Sequence, residues 1–94
     1  SSLNDVVHPS LNGVSYVPGK NEVYVSLNSI SQDEISLSIV DLKGNLVFSK
    51  NLGSSSLGLN TFNVTIPTDM KSGTFVVQLD INNQQLTKLI QVVR

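Results

Sequence analysis

His8, beside Pro9, is the single histidine of the chain, so a serine–histidine–aspartate relay has one available base. No serine motif surrounds it, and it reads as a histidine at a strand end. Asp33 and Glu34 are the nearest thing to paired carboxylates. Adjacent residues on an extended chain point to opposite faces, so the pair reads as a solvated loop. Asp41 precedes Leu42-Lys43-Gly44 and is better explained as a side chain capping its own turn. A divalent cation needs several converging oxygens, whereas Asp5, Asp69 and Asp80 are scattered and no Asp-x-Asp loop occurs. There is no cysteine, hence no thiolate ligand, thiol nucleophile or disulfide framework. The six Lys and Arg residues are dispersed without aromatic interleaving, which leaves nucleic acid without a footprint. Asn63-Val64-Thr65 fits the glycosylation pattern but lies within a strand-like run. Gly-rich phosphate loops are absent. The expectation is a non-enzymatic chain with no metal and no cofactor.

The elements around these residues bound the problem further. Ninety-four residues suit one domain, residues 1–94, with residues 1–10 either a linker or a first strand. A net charge of −1 favours neither nucleic acid nor an anionic membrane surface. No apolar run approaches the ~20 residues that span a bilayer as a helix. Ser1 to Asp5 has neither the basic nor the apolar segment of a secretory signal, and the chain reads as a fragment or mature product.

Periodicity is two almost throughout. Val23, Val25 and Leu27 alternate with Tyr24, Ser26 and Asn28, and Ile35, Leu37 and Ile39 with Ser36 and Ser38. Phe62, Val64 and Ile66 behave likewise, as do Phe75, Val77, Leu79 and Ile81. Such runs are strands with one dry and one wet face. Turn signals separate them at Pro9–Gly13, Pro18–Asn21, Asp41–Gly44 and Pro67–Gly73, and Leu52–Gly58 reads as a flexible loop. The Asp41 turn predicts a tight hairpin between Ile35–Val40 and Asn45–Lys50. About seven strands with regular turns predict an all-β, Ig-like antiparallel β-sandwich. The closing hairpin, Gly73–Ile81 and Leu86–Arg94, places an aliphatic strand at the end of the sequence. That strand has few edge-protecting devices, with Lys88 and Arg94 its only charges.

Several stretches, in order, carry a family likeness: Val7-His8-Pro9-Ser10, Ile39 to Val47 around Asp41-Leu42-Lys43-Gly44, and Leu59-Asn60-Thr61-Phe62. They continue with Ser72-Gly73-Thr74-Phe75 to Leu79, and close with Thr87-Lys88-Leu89-Ile90-Gln91-Val92-Val93. This series resembles the type IX secretion C-terminal sorting domains (type A) of Bacteroidetes surface and secreted proteins. Those domains look like Pro-Asn-Pro, then Asp-x-x-Gly-x-x-Val, then Gly-x-Tyr, then a closing strand with an early Lys. Here His8-Pro9-Ser10 stands for the first element, and Phe75 for the tyrosine.

The resemblance implies a C-terminal label on a larger cargo. An outer-membrane translocon recognises it after transit through the periplasm, and a surface sortase-like protease removes it as cargo reaches the cell surface. Positions implied for recognition are Gly73, Lys88, Leu89, Ile90, Val92, Val93 and Arg94, with Pro9, Asp41 and Gly44 as structural motif. Lys88 is the first choice for a contact, because its ammonium must reach water from an apolar strand. An open edge would also allow strand-mediated self-association. The alternative is a structural or adhesive Ig-like module at a cell surface, for which Tyr16 and Tyr24 are the candidate aromatic platforms.

Overall fold

Branched aliphatic residues alternating with Ser, Thr and Asn favour extended backbone, and burying one face of each strand requires a second sheet. The computed structural model describes residues 9–81 and 83–94 and meets that requirement with seven strands and, among those residues, no helix. In chain order they are β1 (Ser10–Val17), β2 (Glu22–Ser29), β3 (Glu34–Asp41), β4 (Leu46–Ser54), β5 (Gly58–Thr65), β6 (Gly73–Ile81) and β7 (Gln84–Val92). Every pairing is antiparallel. One sheet has the order β1-β2-β5 and the other β4-β3-β6-β7. The fourth strand pairs with the third rather than the fifth, unlike the four-plus-three partition of constant-type Ig domains. His8 and Asp5 lie outside the described residues.

The core is what the alternation predicts. Val23, Val25, Leu27, Ile35, Leu37, Ile39, Val77 and Leu79 have no exposed surface, and Ile90 and Val92 of the last strand join them. Each such side chain contributes ~1.5–3 kcal/mol relative to an exposed one. Phe62 is only half-buried, because β5 is an edge strand. β1 lies along β7. The three strands of the smaller sheet therefore stand over β7, β6 and β3, and β4 projects beyond them. Its burial agrees: β3 and β6 bury residues at alternate positions, but no residue of β4 is fully buried.

Three boundaries differ by two residues or more from the sequence expectation. The closing strand is Gln84–Val92 instead of Leu86–Arg94. Ile81 pairs with Gln84, so the hairpin turns on two residues, with Asn83 at φ 60, and pairing begins earlier than a four-residue loop allows. The strand after the Asp41 turn continues to Ser54, because two bulges let β4 follow the twist of β3. Much of the loop expected from Leu52 is accordingly strand.

The strands run between two ends. At one lie Pro9, the β2–β3 and β4–β5 connections and the β6–β7 turn; at the other lie the β1–β2, β3–β4 and β5–β6 connections and residues 93–94. The first end is tied across the sheets by a buried serine pair. Ser29 Oγ, Ser55 Oγ and the Ser31 carbonyl lie 2.7–3.0 Å from one another, and Ser55 Oγ also accepts the Asp33 N–H at 3.0 Å.

Candidate functional site

Three of the elements singled out by the resemblance, the Asp41–Gly44 turn, Gly73–Phe75 and Ile90–Val93, meet at the second end, whereas Leu59–Phe62 opens β5 at the first end and Lys88 lies midway along β7. Asp41 pairs with Phe75, Phe75 with Ile90, and Gly73 with Val92. The Asp41–Gly44 turn, the start of β6 and the end of β7 are therefore neighbours along one rim, although 53 positions separate Asp41 from Arg94 in the sequence. Pro9, buried at the start of β1, is at the opposite end, about a strand length away, ~25–30 Å.

The turn is a three-residue hairpin loop. Gly44 N–H donates to the Asp41 carbonyl at 3.0 Å, and Asp41 N–H to the Asn45 carbonyl at 3.0 Å. Gly44 at φ 90 takes the left-handed position such loops end on. The Asp41 carboxylate fastens the loop. Its Oδ1 accepts the backbone N–H groups of Lys43 and Asn45, each at 2.9 Å, and Oδ2 accepts Asn45 Nδ2 at 3.2 Å. The Asn45 backbone N–H is the chief cause that lowers the Asp41 pKa below its ordinary 3.8, opposed by some desolvation and aided by the Asn45 amide, the Lys43 N–H and the Lys43 charge. This carboxylate holds a turn, as its sequence context suggests.

Arg94 closes the rim. Its backbone N–H donates to Ser72 Oγ at 2.9 Å, and its guanidinium to the Pro67 carbonyl at 2.8 Å, so residues past β7 are pinned to the β5–β6 connection. Beside them Val93 is 63% exposed. A shallow concavity is lined by Tyr16, Gly19, Asn21, Val93 and Arg94. Asn21 Nδ2 donates to the Ile66 carbonyl at 2.6 Å, while its Oδ1 is buried with no partner among the described residues. Gly73 has φ 159, close to extended, and an added Cβ would meet the Phe75 ring at an ordinary 3.8 Å. Its backbone makes a weaker demand for glycine than Gly44 does.

Lys88 and Leu89 lie further up β7. Lys88 pairs with Val77, on the core-facing side, yet is exposed because β7 is an edge. A charge pointing inward on an edge strand is a known device against pairing with another chain. Lys88 thus has a structural role that its sequence context did not reveal. Leu89 points outward and pairs with Val76; Val76 pairs with Val40, and Val40 with Leu46. These four side chains form an apolar row across the outer face of the larger sheet, with Leu46 and Leu89 62% and 63% exposed at its ends. Ser38, Gln78 and Thr87 flank it on one side and Thr74 and Gln91 on the other. Sequence reading found Leu89 alone, because the row runs perpendicular to the chain.

Other sequence candidates stay dispersed. Asp33 accepts from Ser31 Oγ, Glu34 from Asn51 Nδ2 at 3.4 Å and Asp80 from Gln85 Nε2 at 3.4 Å. No group of three or more His, Cys, Asp or Glu side chains suited to a metal occurs among the described residues. Tyr24 is 37% exposed, but Tyr16 pairs with the buried Val23 and Tyr24 with Ser15, so the two rings face opposite sides of their sheet and form no shared platform. Asn63 is exposed within β5.

No curated protein matches this chain. A family model described as "Secretion system C-terminal sorting domain" matches residues 17–93, from the end of β1 to just past β7, and includes every rim element but Arg94. The chain belongs to that family, whose domains are the C-terminal sorting signals of type IX secretion.

Proposed function

We propose that the secretion machinery reads this domain at the rim formed by the Asp41–Gly44 turn, Gly73 and Val92 to Arg94, and along the apolar row that ends at Leu89. The observation that carries this reading is the convergence of those elements at one end, opposite Pro9. A cargo preceding the domain enters at the Pro9 end. The recognition end therefore faces away from the cargo, and its surface stays free whatever the cargo's shape. Lys88 lies beside the row, where its ammonium can meet a partner's acceptor while it keeps the edge closed.

The partners in this scheme are components of the outer-membrane translocon and a sortase-like protease. The domain is their substrate and supplies no catalytic group. Removal from the cargo requires a cut on the N-terminal side, at the end away from recognition, so the two events use separate surfaces. The route runs through the periplasm to the cell surface. Because β7 fills the core with Ile90 and Val92 and pairs with β6, the fold is complete only when the last strand is in place. A machinery that reads the finished rim rejects truncated chains.

The test is a fusion of residues 1–94 to a secreted reporter in a type IX-competent bacterium. Surface delivery is expected, and loss of it on deleting Leu89 to Arg94. Delivery by the truncated fusion at the level of the intact one overturns the reading.

A further inference from the structure

The four sheet edges are not equally closed to a new neighbour. β1 is bulged between Leu11 and Gly13 and lies along β7. β7 carries the inward Lys88. β4 is interrupted by two bulges and carries Lys50 opposite the buried Leu37, again a charge in the core-facing register. β5 has none of these devices. Gly58–Thr65 contains no charge and no proline, and it pairs with β2 in unbroken register from Glu22↔Thr65 to Ser29↔Gly58. Among the described residues no strand pairs with its other side, so a row of N–H and C=O groups is available there.

Next to that edge lies an unfilled place. The smaller sheet is one strand short, and the strand left uncovered is β4. Phe48, Lys50 and Leu52 alternate toward the gap, and Phe48, Leu52 and the Phe62 of β5 are only partly buried against the core. We infer that β5 and the inner face of β4 form a docking groove for one extended segment of a partner protein, added as a fourth strand on β5. The floor sets its chemistry: an acidic residue over Lys50, with apolar residues two positions to either side over Phe48 and Leu52. Main-chain hydrogen bonds supply affinity, and the alternate side chains supply specificity.

A second copy of the sandwich fits the groove poorly. Pairing β5 with β5 of another copy would bring the other copy's larger sheet into the space that β4 already occupies. The larger sheet exceeds the smaller by one strand, so the place beside β5 is that of one added strand at the ~4.8 Å ladder spacing. This surface is separate from the recognition rim and does not depend on the sorting reading.

The test titrates the 94-residue chain with a short peptide alternating threonine with valine, aspartate and valine, followed by backbone amide NMR. Saturable shifts confined to β4 and β5 are expected. A peptide with lysine in place of the aspartate should bind about tenfold more weakly or worse, a difference of ~1.4 kcal/mol. Lys50→Glu, at an exposed position, should reverse that preference while the amide spectrum of the other strands is unchanged. No shift at millimolar peptide, shifts centred on β7 or β1, equal affinity for the two peptides, or indifference to Lys50→Glu each overturn the inference. So does concentration-dependent dimerisation of the chain that broadens the β5 amides.

Discussion

Lys88 stands opposite Val77 across the β6–β7 ladder, so a charged side chain shares the core-facing register with a residue that has no exposed surface. Lys50 repeats the relationship opposite Leu37 at the other edge of the same sheet. Both ends of the four-stranded sheet are thereby guarded by an exposed lysine in the core-facing register, whose ammonium reaches water.

Lys88→Val should raise or leave unchanged the folding stability, within ~1 kcal/mol, because it removes no buried partner. It should also make the chain self-associate, which sedimentation across a concentration series would show. A strictly monomeric Lys88→Val chain contradicts the guarding role. In the export fusion, Lys88→Gln separates guarding from recognition: reduced delivery at unchanged melting temperature assigns Lys88 a contact with the machinery.

The Asp41 turn predicts a sign for acid. Its folded pKa is lowered from 3.8, so the carboxylate contributes stability that is present above the unfolded value and is lost as pH falls through the folded one. Stability and the Lys43 and Asn45 amide shifts should change together in that acidic window. Asp41→Asn should remove this part of the acid dependence. An unaltered pH profile in the variant means that the carboxylate is not what holds the loop.

Gly44 sits at φ 90 with nothing within 4 Å of an added Cβ, so only backbone strain opposes a side chain. Gly44→Ala should destabilise by ~1–2 kcal/mol, whereas Gly73→Ala, with near-extended backbone, should cost less. Denaturant melts of the pair test the order. If Gly73→Ala folds normally yet lowers export, the glycine serves recognition at the rim.

Ile90 is 4% exposed in an edge strand, and Ile90→Ala should lower stability by ~2–4 kcal/mol through lost burial and a cavity. Leu89→Ser, on the outer face, should leave the melt within ~0.5 kcal/mol. Export of the reporter should fall for both, the first through unfolding and the second through the apolar row. Normal delivery by Leu89→Ser excludes the row as a contact surface.

Much of the fold is legible along the chain. Val23-Tyr24-Val25-Ser26-Leu27 announces a half-buried strand because period two is a local property, and Asp41-Leu42-Lys43-Gly44 announces its turn because carboxylate, N–H groups and glycine lie within four residues. Strand ends were less legible. Leu52–Gly53 looks like a loop until bulges in β4 absorb its irregularity, and Gln84–Gln85 looks like a turn until pairing with Asp80 and Ile81 claims it.

The sequence by itself determined the all-β class, the dry faces of β2, β3, β5 and β6 and the family, since motif order and alternation are written along one dimension. Tertiary structure alone decided which strands are edges, and that decides what Lys50 and Lys88 do. It also assembled the Leu46–Val40–Val76–Leu89 row and brought Asp41, Gly73 and Arg94 to a common rim. Such relationships cross strands at right angles to the chain, and pairing register, set by burial of the whole core, is what creates them.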